Sequence, residues 1–265
     1  MDKLDYLESK SIYIIREAYA KHRNIALLWS IGKDSTTLLW LCKKAFLGKI
    51  PFPVLHIDTS FKFPEIYEFR DKYAKGFNLN LIIAKNEKAL SEGMSCKCKF
   101  DCCNALKTQA LKDAIAKYNF KALILGIRRD EHGIRGKERY FSPRNESFRW
   151  NYENQPLELW NAYATKANNE GHTRVHPLLH WSELDIWEYT AREKIPVVPL
   201  YFAKKGKRYR SIGCKPCCTP VKSDASNINE IIKELRESKV SERSGRVQDK
   251  ESHSTMQKLR SLGYM

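Results

Sequence analysis

Apolar side chains recur at helical spacing at Leu4, Leu7, Ile12, Ile15, Ala18 and Tyr19, which predicts an amphipathic helix over residues 4–22. The run "NIALLWS", Asn24 to Ser30, is apolar and bounded by turn formers, as a buried strand is. "DSTTLLWLCKKAF" then returns to the helical period and ends near Gly48. The alternation repeats. "FPVLHIDT", Phe52 to Thr59, reads as a second strand, and "PEIYEFRDKYAKGF" as a helix with Pro64 at its start and Gly76 near its end. "LNLIIAK" gives a third strand, "ALKTQALKDAIAKYN" a helix, and "KALILGI", Lys121 to Ile127, a fourth strand. Such alternation predicts an α/β fold, a mostly parallel sheet with helices on both faces, whose ligands bind at the carboxyl ends of the strands.

From about residue 128 to 175 the pattern stops in a long polar segment, "RRDEHGIRGKERYFSPRNESFRWNYENQPLELWN". A segment of that length without elements of its own is more often functional than idle. "HWSELDIWEYTAREK" predicts an N-cap at Ser182 and a helix ending before "IPVVPLYF". Further on, "INEIIKELRES" predicts one more helix, followed by a polar, basic tail ending "STMQKLRSLGYM". The expected division is an α/β domain over residues 1–200 and a loop-rich extension over 201–265. No apolar run reaches the roughly eighteen residues of a membrane span, and the amphipathic N-terminus is unlike a signal peptide. The expected location is the cytoplasm, with no membrane partner.

Charge narrows the partners. Lys plus Arg number 47 against 31 Asp plus Glu, a net charge of +16, which favours an anion: a nucleotide, an oxyanion, a nucleic acid or an acidic protein surface. A lysine-rich solvated surface is the plainer explanation, and neither a concentrated basic tail nor an RNA-binding fingerprint is present. Of the 8 cysteines, all but Cys42 fall in "CKCKFDCC", Cys96 to Cys103, and "CKPCC", Cys214 to Cys218. Tight groups in a chain without a secretion signal point to thiol chemistry or metal rather than disulfides. Cys42, inside a helical pattern, reads as a small core residue.

The stretch "LLWSIGKDSTTLLWL", Leu27 to Leu41, sets a glycine turn between strand and helix. Gly32 allows close backbone approach to an anion, the helix start offers free N–H groups, and Lys33, Ser35 and Thr36 add donors, so the natural ligand is a phosphate group. A Walker A loop is excluded, because Asp34 stands where that motif requires Ser or Thr. "SIGKDS" instead resembles the S-G-G-K-D-S PP-loop of the N-type ATP pyrophosphatases, departing at Ile31. That resemblance implies an adenine nucleotide alpha-hydrolase-like fold. It also implies that Ser30, Gly32, Lys33, Asp34, Ser35 and Thr36 hold ATP, which is cleaved between its α and β phosphates.

"PFPVLHIDTSFKFPEIYEFRD", "GIRRDEHGIRGKERYFSPRN", "RVHPLLHWSELDIWEYTAREKIPVVPLYF" and "SERSGRVQDKES" are similar, in matching order, to the small, catalytic subunits of two-subunit bacterial sulfate adenylyltransferases. The resemblance implies ATP and sulfate as substrates, adenylyl sulfate and pyrophosphate as products, and a GTPase large subunit as partner. Adenylyl sulfate formation is strongly uphill, which is why that family couples it to a second nucleotide hydrolysis. Sulfate is itself the nucleophile, so no Ser/His/Asp triad is needed. What is needed is cations, since a dianion must approach a polyanion. The block "RRDEHGIRGKER" supplies Arg128, Arg129 and Arg135 as catalytic candidates beside Lys33 and Asp34, with Lys137 and Arg139 nearby. Asp34 and Asp58 are the candidates near a Mg2+ ion. His56, in "VLHID", reads as a structural residue.

The cysteines add a second resemblance. "CC" at Cys102 and Cys103 with "CKPC" at Cys214 and Cys217 resembles the set that binds a 4Fe–4S cluster in assimilatory adenylyl-sulfate reductases. Four soft thiolates also suit zinc, and reduced structural thiols are a third reading. Cys96, Cys98 and Cys218 are supernumerary. The reductases carry a nucleophilic cysteine near the C-terminus, whereas no cysteine follows Cys218 here. Adenylyl transfer is therefore the expected activity. One alternative is a cluster-dependent ATP pyrophosphatase that transfers sulfur to DNA or tRNA, and another is a non-catalytic nucleotide-binding module.

Overall fold

The computed structural model describes residues 1–96, 99–150, 157–158, 160, 163, 171–238, 240, 242–245 and 263. Its strands are β1 (Ile25–Leu28), β2 (Val54–Ile57), β3 (Leu81–Ala84), β4 (Ala122–Ile124), β5 (Phe141–Arg144), β6 (His172–Val175), β7 (Lys207–Arg208) and β8 (Val221–Lys222). The first six form one sheet in the order β3-β2-β1-β4-β6-β5, with all neighbours parallel except the β5–β6 pair. Leu27 of the central strand pairs with Val54 on one side and Ile124 on the other.

Two apolar layers follow from the two-residue period of a strand. Ile25 and Leu27 join Val54, Ile124 and Val175 in one core, while Ala26 and Leu28 join Leu55 and Leu123 in the other. The helices are α1 (Lys3–Lys21), α2 (Lys33–Ala45), α3 (Pro64–Gly76), α4 (Glu87–Ser91), α5 (Lys99–Cys103), α6 (Ala110–Tyr118), α7 (Glu183–Glu193) and α8 (Ile228–Glu237). Residues of α1, α2, α3 and α7 bury the first core, and α6 covers the second. The helix signals act as read: Pro64 opens α3, Gly76 closes it, and Ser182 caps α7 in a reciprocal box with Asp185. Cys42 lies wholly inside the first core.

The structure departs from the pattern in two places. The helix expected over 105–119 begins earlier, as α5, and passes through a wide π-helical turn, Asn104–Gln109, before α6. The segment expected to lack elements contains a 3-10 turn, Gly133–Lys137, and both β5 and β6. β6 reads "HTRV", with no apolar run to signal a strand, yet all four residues are buried. The Arg174 guanidinium donates to the Gly263 carbonyl, and the His172 ring packs against Phe148. In β5 Pro143 is tolerated because the strand lies at the sheet edge.

Beyond β6, α7 carries α8 on its outer side, and β7 and β8 form a small antiparallel pair. The feature that places the site is the strand order. From β1 the chain winds outward through β2 to β3, then returns to β4 on the other flank of β1. A crevice opens at the carboxyl ends of strands where such a reversal occurs.

Candidate functional site

A cleft lies at that reversal. Its floor is Leu28 and Ile57 from the ends of β1 and β2, with Leu125, Gly126 and Ile127 just past β4. Ser30, Gly32, Lys33, Asp34 and Ser35 form one wall. The turn reaches this position because Ile31 takes a left-handed conformation, φ +69°, while Gly32 is extended at φ −74° and caps α2. A β-branched residue at positive φ is strained, and Ile31 is held there by burial at 1 % exposure. Gly126 serves a different need: a Cβ there would stand 3.1 Å from the backbone of both Asp34 and Ser35, so a larger residue would press the start of α2 away from the end of β4. Ser30 and Ser35 hydroxyls lie 3.0 Å apart, and the Lys33 amide donates to the Tyr201 hydroxyl at 2.8 Å.

Behind this wall four charges close a ring. The Lys33 ammonium pairs with Asp34 at 3.2 Å and with Glu242, and the Arg128 guanidinium pairs with Asp34, with Glu242 and, at 2.9 Å, with Asp130. Lys33 and Arg128 are almost fully removed from water. Burial alone would push the Glu242 carboxyl up, but the facing Arg128 and Lys33 cations outweigh it and hold the group well below the usual carboxylate range. Its neighbour Arg243 pairs with Glu131 at 3.0 Å, and Glu131 also takes Arg135. The Arg210 guanidinium donates to the Val240 carbonyl at 2.7 Å. Glu242 and Arg243 are thus tied to the cleft by charge.

The other wall is built from Lys62, Lys107, Gly213 and Cys214. Cys214 Sγ lies 3.1 Å from Thr59 Oγ1, and the Lys215 amide donates to the Phe61 carbonyl at 2.8 Å, which fixes the 214–217 turn against the loop after β2. Cys102 and Cys103 approach the same place from α5, and Cys102, Cys103, Cys214 and Cys217 are all buried. Burial, then the neighbouring Cys96, Cys103 and Cys214, push the Cys102 thiol up to about 12. The two cysteine groups, more than a hundred residues apart in sequence, therefore meet. Cys96 and Cys102 sulfurs are 3.7 Å apart. Among the described residues no three ligating side chains close on a single point. Cys98 lies outside the described residues.

The expected site residues separate into groups. Ser30, Gly32, Lys33, Asp34, Ser35 and Arg135 line the cleft, and Arg128 stands directly behind it in the charge ring. Thr36 faces the core, its hydroxyl accepting from the Trp29 indole at 3.1 Å, so it buttresses the turn from behind. Asp58 is off the cleft wall, accepting from the Tyr67 hydroxyl at 2.9 Å and the Ser60 amide at 2.8 Å. Arg129 turns away to His180 and the Glu138 carbonyl. His56 is buried with Nδ1 on the Trp29 carbonyl, a structural role. Sequence reading missed Tyr201, Glu242, Arg243, Lys62 and Lys107. Four of them sit in blocks quoted for their resemblance and Lys107 in a predicted helix, but none has a spacing that marks it.

This strand order and glycine turn define the PP-loop class of α/β folds. Residues 24–220 match the phosphoadenosine phosphosulfate reductase domain family. The structure superposes on a phosphoadenylyl-sulfate reductase from Candida auris, solved with phosphate, with a TM-score of 0.56 at 17 % identity, covering 83 % of this chain and 98 % of that one. It also superposes on Candida glabrata FMN adenylyltransferase, solved with ATP, with a TM-score of 0.57 at 18 % identity, covering 82 % and 63 %. At those identities the likeness is one of fold. Sequence similarity goes further: the chain is 42 % identical to sulfate adenylyltransferase subunit 2 of Colwellia psychrerythraea, over 98 % of both chains. It is 40 % identical to that of Pseudomonas putida, over 100 % of this chain and 99 % of the relative. The chain belongs to the sulfate adenylyltransferase subunit 2 family of nucleotidyltransferases.

Proposed function

We propose that this chain activates sulfate with ATP, forming adenylyl sulfate and releasing pyrophosphate. The observation that carries the reading is Ser30, Lys33 and Ser35 at the start of α2, in the crevice between β1 and β4, in a chain that aligns end to end with sulfate adenylyltransferase subunits 2. The turn and Lys33 hold the β and γ phosphates, and Arg128 and Arg135 offset the charge that grows during transfer. Asp34, on the cleft wall, would hold the magnesium ion that accompanies ATP and neutralises part of its charge. No side chain acts as nucleophile or base, because sulfate arrives as a dianion.

The relatives are named as one subunit of an enzyme, so a large subunit is the partner, and a GTPase suits the uphill reaction. The work takes place in the cytoplasm; among the described residues no helix is long and apolar enough to cross a membrane. Cys102, Cys103, Cys214 and Cys217 would hold a 4Fe–4S cluster, with zinc as the alternative. Their fit rests on four buried cysteines, soft ligands that arrive from two segments. Bound there, the metal group would supply a cross-link between α5 and the 214–217 turn and a fixed charge beside the cleft.

The test is exchange of labelled pyrophosphate into ATP by the chain with its large subunit. Exchange that requires sulfate supports the reading. Exchange without sulfate, or ATP turnover stimulated by DNA or tRNA in a salt-sensitive manner, favours sulfur transfer to nucleic acid instead.

A further inference from the structure

We propose that Lys62 and Lys107, on the cleft wall that ends at Cys214, form the oxyanion subsite where the attacking sulfate binds. The inference rests on the sulfate-activating reading above and adds where its second substrate sits.

Three observations lead to it. First, the cations of the opposite wall already face carboxylates. Lys33 and Arg128 share Asp34 and Glu242, and Arg135 and Arg243 share Glu131. Lys62 lines the same cleft and makes no side-chain hydrogen bond or salt bridge among the described residues. A partly buried cation short of anions is stabilised by an arriving dianion.

Second, Lys107 converges on the same wall from an independent element. It lies on the π-helical turn Asn104–Gln109, and that wide turn joins α5, with its cysteine pair, to α6. π-helical turns of this kind occur preferentially at functional sites. Two lysines brought to one wall from separate elements raise the positive potential that an arriving dianion meets.

Third, the placement suits the chemistry. A sulfate oxygen lone pair forms the new bond to the α-phosphorus, the bond from that phosphorus to the bridging oxygen breaks, and its electron pair leaves with pyrophosphate. No proton or oxidant is required. Entering and leaving oxygens must lie roughly in line, so acceptor and pyrophosphate need opposite walls. α2, whose start holds the pyrophosphate turn, covers one face of the sheet, and the 104–109 turn leads into α6 on the other.

The experiment uses the complete two-subunit enzyme carrying Lys62→Ala, Lys107→Ala or Lys62→Arg, assayed by sulfate-dependent pyrophosphate exchange. Iron, zinc and sulfide are measured on the same preparations. The expected result is a rise in KM for sulfate of about tenfold to a hundredfold in each alanine variant, the scale of one lost charged hydrogen bond. KM for ATP and metal content should stay within about twofold of wild type, and Lys62→Arg should recover most of the sulfate affinity. Equilibrium binding of sulfate, measured calorimetrically with a non-hydrolysable ATP analogue present, should weaken in parallel. An unchanged KM for sulfate overturns the subsite. So does loss of iron or zinc with sulfate binding intact, which assigns the lysines to the cysteines. Wild-type enzyme that exchanges equally well without sulfate would instead remove the functional reading beneath it.

Discussion

Lys33 and Lys62 line the same cleft and live in opposite electrostatic circumstances. Lys33, 2 % exposed, sits in a closed ring with Asp34, Arg128 and Glu242, where each charge has an opposite neighbour. Lys62 meets no carboxylate at salt-bridge distance among the described residues, and its ammonium is pushed down to about 8. The difference is one of preparation. The first wall stores its cations in neutralised form and must exchange internal carboxylates for phosphate oxygens when ATP arrives. The second offers a cation that nothing internal has neutralised. Under the proposed reading a site for two anionic substrates gains from this asymmetry, because the triphosphate, with many oxygens held by several donors at once, can displace a carboxylate that a lone sulfate cannot.

The hardest blow to the comparison is removal of Lys33. Lys33→Ala should lower sulfate-dependent exchange by about a hundredfold to a thousandfold, the range seen when one preorganised charge partner of a transition state is lost. The measured quantity is kcat/KM for ATP in the two-subunit enzyme. A drop of less than tenfold would mean that the turn does not hold the leaving group.

Glu242→Gln comes next, because it tests the exchange itself. Removing this buried carboxylate leaves Lys33 and Arg128 short of one partner and should destabilise the fold by about 3 kcal/mol, read from denaturant unfolding. ATP should bind about fivefold to tenfold more tightly, since it no longer competes with an internal anion. Weaker ATP binding would show that Glu242 shapes the site instead of occupying it. The same carboxylate sets a pH dependence. Its native pKa lies below the ordinary value of 4.5, so its contribution to stability is complete above about that pH and fades as acid approaches the folded value. In the Gln variant that part of the acid sensitivity should be missing.

The ring also shows what a sequence can and cannot convey. "SIGKDS" announces itself because a turn between a strand and a helix is local, and all its members lie within six residues. The central sheet was equally open to reading, since burial on both faces of β1, β2 and β4 leaves apolar runs. β6 was hidden because "HTRV" is buried in the sheet although three of its four residues are polar. Glu242 was hidden for a related reason: its partner Lys33 is 209 residues distant, and nothing near Glu242 marks it as the one acid that crosses back. Ile31 is the reverse case. Its departure from the glycine of related turns weakens the motif on paper, yet the chain places it at φ +69° and anchors it by burial. The positive φ belongs to the position, and here packing supplies what glycine would give freely.

The cysteines test the second wall from behind. Loading a metal group requires thiolates, and burial with the adjacent cysteines holds the Cys102 thiol at about 12, so loading should release protons and weaken as pH falls. If the cysteines hold the proposed metal group, Cys214→Ser should lose at least half of the iron or zinc found in the wild type, measured with acid-labile sulfide after anaerobic purification. It should also raise KM for sulfate by about threefold to tenfold through the shared wall, while KM for ATP changes little. Equal effects on both substrates would mean that the two walls are not independent.

The smallest effect is expected at Arg129, and it is the most discriminating within the arginine block. Arg128 and Arg129 are adjacent in sequence but leave the end of β4 in different directions. Arg128 enters the charge ring, while Arg129 bonds His180 and the Glu138 carbonyl outside the cleft. Successive residues of extended chain point to opposite sides, so a block of arginines cannot all serve one anion. Arg129→Gln should therefore change both KM values and kcat by less than about twofold, the size of ordinary surface substitutions. Arg128→Gln in the same assay should approach the loss expected for Lys33→Ala. If the two arginine variants lose activity equally, the block acts as a diffuse positive field, and the contrast between a neutralised wall and an open one loses its force.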